Sequence, residues 1–219
     1  MSLTREEKIK KFKDTAIKNV TKRFGDTDLF FEKKDIPKVP IICSSGSLAL
    51  DEALCIGGFP VGRILEITGH ESCGKSTMTL LNIAEIQKNG GLCGYIDAEQ
   101  TFDPDYAKKL GVNVEELAIF QTNVLEDGLE VLLEFINSGV MSYIVVDSMN
   151  ALLAKREIEG EIGDATMGVR ALRWSQALPK IVQACKQNSC TVAVISQIRS
   201  KIGVMFGCVH PDTTVEILN

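Results

Sequence analysis

The segment that most constrains this chain is residues 69–77, which have the form G-x-x-x-x-G-K-[ST]. An apolar run at 63–68 precedes the segment and predicts a strand, and residues 75–88 predict a helix. A glycine-rich turn between a strand and a helix lets backbone N–H groups surround an anion, and the helix N-terminus adds partial positive charge. The segment therefore predicts a phosphate-binding loop for a nucleoside triphosphate, rather than an ordinary glycine-rich turn.

The residue types in this loop indicate how it would hold its ligand. The Lys75 ammonium reaches the terminal phosphates, and the Ser76 hydroxyl holds Mg²⁺. We expect every residue of the loop to contribute to the nucleotide site: Gly69, His70, Glu71, Ser72, Cys73, Gly74, Lys75, Ser76 and Thr77.

Composition and charge restrict the class of protein. The 219 residues are 45% hydrophobic and 24% charged, as in an ordinary soluble domain. No apolar stretch approaches about 18 residues, so the sequence predicts no membrane span. The net charge of −5 argues against a chain-wide surface for nucleic acid, yet residues 1–38 hold 11 Lys and Arg against 7 Asp and Glu. Such a local basic patch is sufficient for contact with DNA phosphates.

The seven cysteines indicate a reducing compartment. None of them forms a C-x-x-C pair, and Cys73 lies inside the predicted phosphate loop, where a disulfide would be harmful. Reduced thiols and a cytoplasmic location fit best. Because the cysteines are scattered and there are only two histidines, the sequence predicts no zinc site.

The sequence divides into three parts, at 1–38, 39–207 and 208–219. The first is predicted to be a helix and linker that serve oligomerisation, with Thr4 and Glu7 forming a capping box at the helix start. The basic face of this helix is either solvated or a contact surface for DNA or a neighbouring subunit.

From residue 63 onward, strand and helix patterns alternate. Short runs rich in Val and Ile, separated by helices, predict an α/β fold with a mostly parallel twisted sheet covered on both faces. Strands are predicted at 63–68, 92–97, 117–121, 142–147 and 190–196, and helices at 75–88, 103–110, 126–138 and 167–187.

Three of these strands lead into side chains suited to triphosphate hydrolysis. Asp147 ends a buried run, and an aspartate in that place orients magnesium in phosphate-loop ATPases. Glu99 is a candidate to orient the attacking water, and Gln197 to hydrogen-bond the γ-phosphate. A turn aspartate, a solvated loop glutamate and a surface glutamine are the alternatives at these positions.

Taken together, these segments resemble the RecA family of bacterial and phage DNA strand-exchange recombinases. The resemblance covers nearly everything from residue 1 to Gly207. The segments that carry it are 69–77, 95–106, 144–148, 157–168 and 196–207, of which the last two are long and peculiar to the family.

The resemblance implies a RecA-type phosphate-loop ATPase core that uses ATP and Mg²⁺. It implies catalytic roles for Glu99, Lys75 and Gln197. It also implies that Ser76 and Asp147 serve the metal, and that Asp103 and Tyr106 flank the adenine, with Tyr106 stacking on it.

The resemblance also implies two DNA-binding loops, one matching residues 157–167 and one beginning at Arg199. A glycine-rich stretch of that length is long for a connection between a strand and a helix, which favours a functional loop. The first loop is acidic, so Arg170 and Arg173 would supply phosphate contacts unless they lie on a solvated helix face. The candidate DNA-binding residues are Glu157, Gly160, Gly163, Met167, Arg170, Arg173, Arg199 and Lys201.

The segment 208–219 departs from the family and resembles the first block of an intein, a self-splicing insert. In such a block a cysteine precedes a turn, an Asp-Thr-x-Val sequence and a strand. The resemblance implies that the Cys208 thiol attacks the Gly207 carbonyl. We expect an N-terminal precursor fragment whose sheet keeps an open edge; a divergent or frameshifted tail is the alternative.

The expected function is that of a DNA-dependent ATPase and recombinase. The complete protein would form a helical filament on single-stranded DNA, pair it with duplex DNA, exchange strands, and act in DNA repair and the SOS response. The fragment alone is expected to bind ATP weakly and hydrolyse it poorly. The alternatives are a RecA-fold helicase, a RadA-like repair ATPase, or an inactive splicing precursor that pairs with a complementary split-intein fragment.

Overall fold

The computed structural model describes residues 39–160 and 168–197, the backbone of the strand Thr213–Leu218, and Thr4, Glu7, Lys11 and Lys22 from the N-terminal segment. The chain divides into two compact units, Met1–Lys38 and Val39–Asn219. In the first unit the capping box is confirmed, because the Thr4 N–H donates to Glu7 Oε2 (2.8 Å) and the Glu7 N–H donates to Thr4 Oγ1 (3.3 Å). Six predicted site residues lie outside the described residues: Gly163, Met167, Arg199, Lys201, Gly207 and Cys208.

The second unit is built around a six-stranded sheet in the order β5-β4-β6-β7-β3-β8. Five of these strands run parallel, and β8 pairs antiparallel with β3. The predicted α/β fold with a mostly parallel sheet is thereby confirmed. The strands are β3 (Ile64–Gly69), β4 (Leu92–Asp97), β5 (Ala118–Gln121), β6 (Met141–Asp147), β7 (Thr191–Gln197) and β8 (Thr213–Leu218), and a separate hairpin pairs β1 (Ile41–Cys43) with β2 (Phe59–Pro60).

Helices connect the strands, and the four helices that the sequence predicts start and end within two residues of their predicted bounds. They are α1 (Leu48–Ala53), α2 (Lys75–Lys88), α3 (Pro104–Lys109), α4 (Leu125–Asn137), α5 (Lys155–Glu159) and α6 (Val169–Asn188). The short helices α1 and α5 have no counterpart among the predictions, since one or two turns carry too little periodicity to be seen. Among the described residues, no helix is long and apolar enough to cross a bilayer.

The core lies in two layers, one on each face of the sheet. Successive residues of a strand point to opposite faces, so Ile144 packs into one layer and Val145 into the other. The first layer is closed by α4 and α6, with Leu132 and Ile181 fully buried, and the second by α2. This burial on both faces explains why the strands appear in sequence as continuous apolar runs.

Among the described residues the sheet ends at β8, so the expected open edge does not lie along β3. Strand β8 pairs with β3 along its whole length, from Ile64 opposite Leu218 to Gly69 opposite Thr213. The outer side of β3 offers a row of backbone N–H and C=O groups, and a nearby run rich in Thr, Val and Ile is well suited to pair with it. The segment 208–219 therefore contributes a strand to the core sheet.

Candidate nucleotide-binding site

The phosphate loop lies where β3 ends and α2 begins. The backbone of Gly74 has φ +92°, in the left-handed region that glycine adopts without strain. This residue is the N-cap of α2, and its carbonyl accepts the Met78 N–H at 2.9 Å. The free N–H groups of the first helical turn consequently face the loop, as an anion-binding site requires.

Lys75 is folded back across this loop. Its ammonium donates to the carbonyl oxygens of Gly69 (3.0 Å) and His70 (2.6 Å), and its side chain is almost completely buried. The Cys73 sulfur lies 3.9 Å from the same nitrogen. An ammonium has three donors, so a phosphate oxygen can take the place of this weak thiol contact while both carbonyl contacts remain.

Ser76 and Asp147 form a pair suited to a hydrated magnesium ion. The Ser76 hydroxyl donates to Asp147 Oδ2 at 2.6 Å, and the Tyr95 hydroxyl donates to the same oxygen at 2.7 Å. Burial raises the pKa of Asp147, while these two hydrogen bonds oppose the increase. Within 39–160 and 168–197, no three His, Cys, Asp or Glu side chains form a metal-binding group. One carboxylate and one hydroxyl leave most of the coordination to phosphates and water, as Mg²⁺ prefers.

Glu99 and Gln197 meet at the rim of the same cleft. Glu99 Oε1 accepts the Ser148 hydroxyl at 2.6 Å and the Gln197 side-chain amide at 2.9 Å. The Ala98 N–H also donates to the Asp147 carbonyl at 2.7 Å, which joins the ends of β4 and β6. Within the described residues both hydrogen bonds of the Glu99 carboxylate fall on one oxygen, so the other oxygen can accept a hydrogen bond from a water molecule.

These side chains line one cleft of about 520 Å³. The predicted residues Lys75, Ser76, Glu99, Asp147 and Gln197 are all brought together there. The remaining lining residues are Glu71, Ser72, Cys73, Gly74, Thr77 and Ile195. Ile195 is the one of these that the sequence patterns did not single out.

The predicted adenine residues divide between two roles. Tyr106 lies close to the loop, with its hydroxyl 2.9 Å from Thr77 Oγ1 and 40% of the residue exposed. The Asp103 carboxylate instead caps α3, accepting the N–H groups of Asp105 (2.9 Å) and Tyr106 (3.0 Å). Asp103 therefore fixes the start of the helix that carries Tyr106.

Comparison with known proteins identifies the family. The family model for the RecA N-terminal domain matches residues 11–216. The chain belongs to the RecA family. Protein RecA of Paracoccus denitrificans is 48% identical over 202 residues, covering 92% of this chain and 56% of the relative. Protein RecA of Psychrobacter arcticus is 49% identical over 200 residues, which cover 91% of this chain and 56% of the relative. Protein RecA of Acinetobacter baumannii is 47% identical over 209 residues, which cover 95% of this chain and 59% of the relative.

This RecA-family chain thus spans between 56% and 59% of the length of these three curated relatives. The match to the family model also extends nine residues beyond Gly207, into the segment 208–219 for which the sequence predicts an intein block.

The sequence patterns do not point to two residues of the RecA-family site, Asp97 and Tyr95. The Asp97 carboxylate is buried and accepts the N–H groups of Thr101 (3.2 Å) and Phe102 (3.0 Å) together with the Gln121 amide (3.0 Å). It therefore fixes the loop that carries Glu99. Its sequence signal, an acid at the end of a buried strand, is the same as that of Asp147, whereas the contact of Tyr95 with Asp147 requires the register of β4 against β6.

The predicted DNA-binding arginines of this RecA-family chain are engaged in ion pairs. Arg170 Nε lies 3.2 Å from the Glu157 carboxylate, and Arg173 Nε lies 3.3 Å from Glu126. Both arginine side chains remain nearly half exposed. Exposed ion pairs are weak, so a nucleic-acid phosphate can compete for either guanidinium. Gly160, also a predicted DNA contact, is exposed at the end of α5.

Proposed function

We propose that this chain is the N-terminal part of an ATP- and Mg²⁺-dependent DNA recombinase. The observation that carries the proposal is the convergence of Ser76, Asp147, Glu99 and Gln197 beside the phosphate loop. These side chains come from α2 and from the ends of three parallel strands, the edge at which open α/β sheets bind their ligands. Membership of the RecA family supports the same assignment.

The hydrolytic step follows from the positions of the side chains. Lys75 and the N–H groups of α2 stabilise negative charge on the terminal phosphates. Magnesium, when bound, neutralises charge on the phosphate oxygens, and Ser76 and Asp147 would hold it. The Glu99 carboxylate orients the attacking water and accepts its proton. Gln197, which donates to Glu99 in this structure, acts as the γ-phosphate sensor.

The proposed partners are single-stranded and double-stranded DNA and further copies of the chain. Arg170 and Arg173 would exchange their carboxylate partners for DNA phosphates, and the complete protein would coat single-stranded DNA as a helical filament. Homologous pairing, strand exchange, DNA repair and a part in the SOS response belong to this proposal, with a cytoplasmic location.

Electron microscopy of the complete protein on DNA distinguishes the open helical filament of a recombinase from the closed ring of a helicase.

Two substitutions test the nucleotide chemistry. In the 219-residue chain, Lys75→Ala should abolish the heat of binding of ATP with Mg²⁺ in calorimetry. Lys88→Ala changes the same residue type at the other end of α2 and should leave that heat unchanged. If the unsubstituted chain joined at Gly207 to the C-terminal part of the Paracoccus denitrificans protein shows no heat, the proposal is wrong.

Hydrolysis is tested in the same joined protein. Glu99→Gln should preserve ATP binding and slow hydrolysis about 10²-fold or more, because it removes a base and keeps the phosphate cradle. Glu115→Gln, at an exposed carboxylate away from the cleft, is the matched control. Normal hydrolysis by Glu99→Gln contradicts the assignment of the catalytic carboxylate.

We further propose that Cys208 begins an intein block. Its thiol would attack the Gly207 carbonyl carbon, the Cys208 nitrogen would leave with a proton, and a thioester would replace the peptide bond. The sequence Asp212-Thr213-Thr214-Val215 and the unbranched Gly207 support this step. The rest of an intein is required to orient the peptide and stabilise the oxyanion.

Two observations favour the alternative, a divergent continuation of the RecA core. The family match extends to residue 216, and β8 pairs with β3. Co-expression with a complementary split-intein fragment separates the two: splicing predicts a product joined at Gly207 without residues 208–219, and Cys208→Ala should abolish it. Cys55→Ala, at an exposed free cysteine, is the control. Retention of 208–219 in every product favours the divergent strand.

A further inference from the structure

Asn150 lies between the nucleotide cleft and the helix that follows the first predicted DNA loop. Its side-chain oxygen accepts the Gln197 N–H and the Ser196 hydroxyl, each at 3.3 Å. Its side-chain nitrogen donates to the Gln197 carbonyl, also at 3.3 Å. One carboxamide therefore holds both main-chain polar groups of Gln197.

The side chain of Gln197 is held at the cleft instead. Its amide donates to Glu99 Oε1 at 2.9 Å, beside the phosphate loop. A γ-phosphate oxygen that takes the place of this carboxylate as the acceptor would pull on the end of β7. Because Asn150 bonds to the same residue at two points, a shift of the Gln197 main chain is passed to Asn150.

On its other side, Asn150 contacts the helix α6. Its main-chain carbonyl accepts Arg170 Nη1 at 3.3 Å, and Arg170 Nε pairs with Glu157 at 3.2 Å. Arg170 is the second residue of α6, and Glu157 lies in α5, so the two flank residues 161–167. Across 39–160 and 168–197, Asn150 is the residue whose hydrogen bonds reach both Gln197 and Arg170.

We propose that Asn150 is a positioning residue that links the γ-phosphate position to Arg170 and to the start of α6. The proposal rests on the proposed function of the cleft. Coupling between two sites requires contacts that differ between two states. Here the differing contact is the acceptor of the Gln197 amide, and Asn150 carries the change to a residue predicted to bind DNA.

The test is hydrogen–deuterium exchange on the 219-residue chain, with Mg²⁺ and either ADP or a non-hydrolysable ATP analogue. In the unsubstituted chain the analogue should change the exchange of amides 172–175, the first hydrogen-bonded turn of α6, relative to ADP. In Asn150→Ala the analogue should still bind, as measured by calorimetry, but this difference should be lost. If Asn150→Ala binds the analogue but shows no exchange difference, Asn150 links the two sites and does more than maintain the structure of the cleft.

A second variant and a matched control complete the design. Arg170→Ala removes the other end of the link at an exposed side chain, where folding is not at risk, and should also abolish the difference. Asn188→Ala removes a side-chain amide whose hydrogen bond among the described residues, to the Ala184 carbonyl, lies within α6 at the far end of that helix. This variant should keep the exchange difference.

Three outcomes are decisive. An unsubstituted chain that binds the analogue without any exchange difference overturns the proposal. So does a difference that persists in either Asn150→Ala or Arg170→Ala. If calorimetry shows that the unsubstituted 219-residue chain binds neither nucleotide, the exchange experiment moves to the chain joined at Gly207 to the C-terminal part of the Paracoccus denitrificans protein, and absence of binding there refutes the proposed function itself.

Discussion

The buried contact between Tyr95 and Asp147 allows a quantitative prediction. Replacing Tyr95 by Phe removes the 2.7 Å hydrogen bond that the phenol donates to Asp147 Oδ2, in a region where both residues are at least 93% buried. A hydrogen bond to a charged group contributes about 1.5–3 kcal/mol. We expect the free energy of unfolding to fall by about that amount, which lowers the Tm of a chain of this size by about 3–12 °C.

The same substitution should change the pH dependence of stability. Burial raises the pKa of Asp147 above its usual 3.8, so the folded state binds this proton more tightly than the unfolded state. The contribution of this group to stability is therefore greatest below pH 3.8 and falls as the pH rises through the folded-state pKa. Since the Tyr95 hydrogen bond lowers that pKa, Tyr95→Phe should extend the fall to higher pH. Denaturant unfolding at a series of pH values measures both effects.

The structure supplies a matched control for this experiment. Within the described part of the chain the buried hydroxyl of Tyr143 has no hydrogen-bond partner, so Tyr143→Phe should be neutral or stabilising. In the background of Asp147→Asn, Tyr95→Phe should cost much less, because the carboxylate charge is absent. An equal cost in both backgrounds would refute the reasoning.

Three further predictions concern the loop and the ion pairs. Alkylation of the exposed Cys73 should weaken nucleotide binding, ATP should protect the thiol, and Cys73→Ser should make binding resistant to the reagent. Gly74→Ala should cost about 1–2 kcal/mol of stability and weaken nucleotide binding, because its φ of +92° strains any residue with a Cβ. Gly168→Ala introduces a similar backbone strain, at φ +86°, but lies outside the phosphate loop. It should leave nucleotide binding unchanged when both variants are measured by calorimetry. Glu126→Gln should free Arg173 and raise affinity for single-stranded DNA by up to about fivefold in a fluorescence anisotropy titration, whereas Glu134→Gln on the same helix should not.

Much of the fold was predictable because local patterns determine it. The buried strands are continuous apolar runs, and the helices between them show their own periodicity, so element order and position follow from the chain itself. The meeting of Glu99, Asp147 and Gln197 was predictable for a related reason: the carboxyl ends of parallel strands share one edge of the sheet.

The remainder depends on contacts between residues far apart in sequence. The pairing of β8 with β3 is set by an edge that exists only after the sheet has formed. Likewise, the ion pair of Arg173 with Glu126 joins two helices, and the contact of Tyr95 with Asp147 requires a particular strand register. No periodicity within one segment carries that information, which explains why these features were missed.

The position of β8 has a consequence for any event that cuts or removes the chain after Gly207. Six residue pairs, from Ile64 to Gly69, join β8 to the strand that ends in the phosphate loop. Loss of that neighbour would leave Ile64–Gly69 held along one flank alone, by its pairing with β7. Because this strand leads directly into the phosphate loop, we expect a chain cut after Gly207 to bind nucleotide with a different affinity from a chain that keeps residues 208–219.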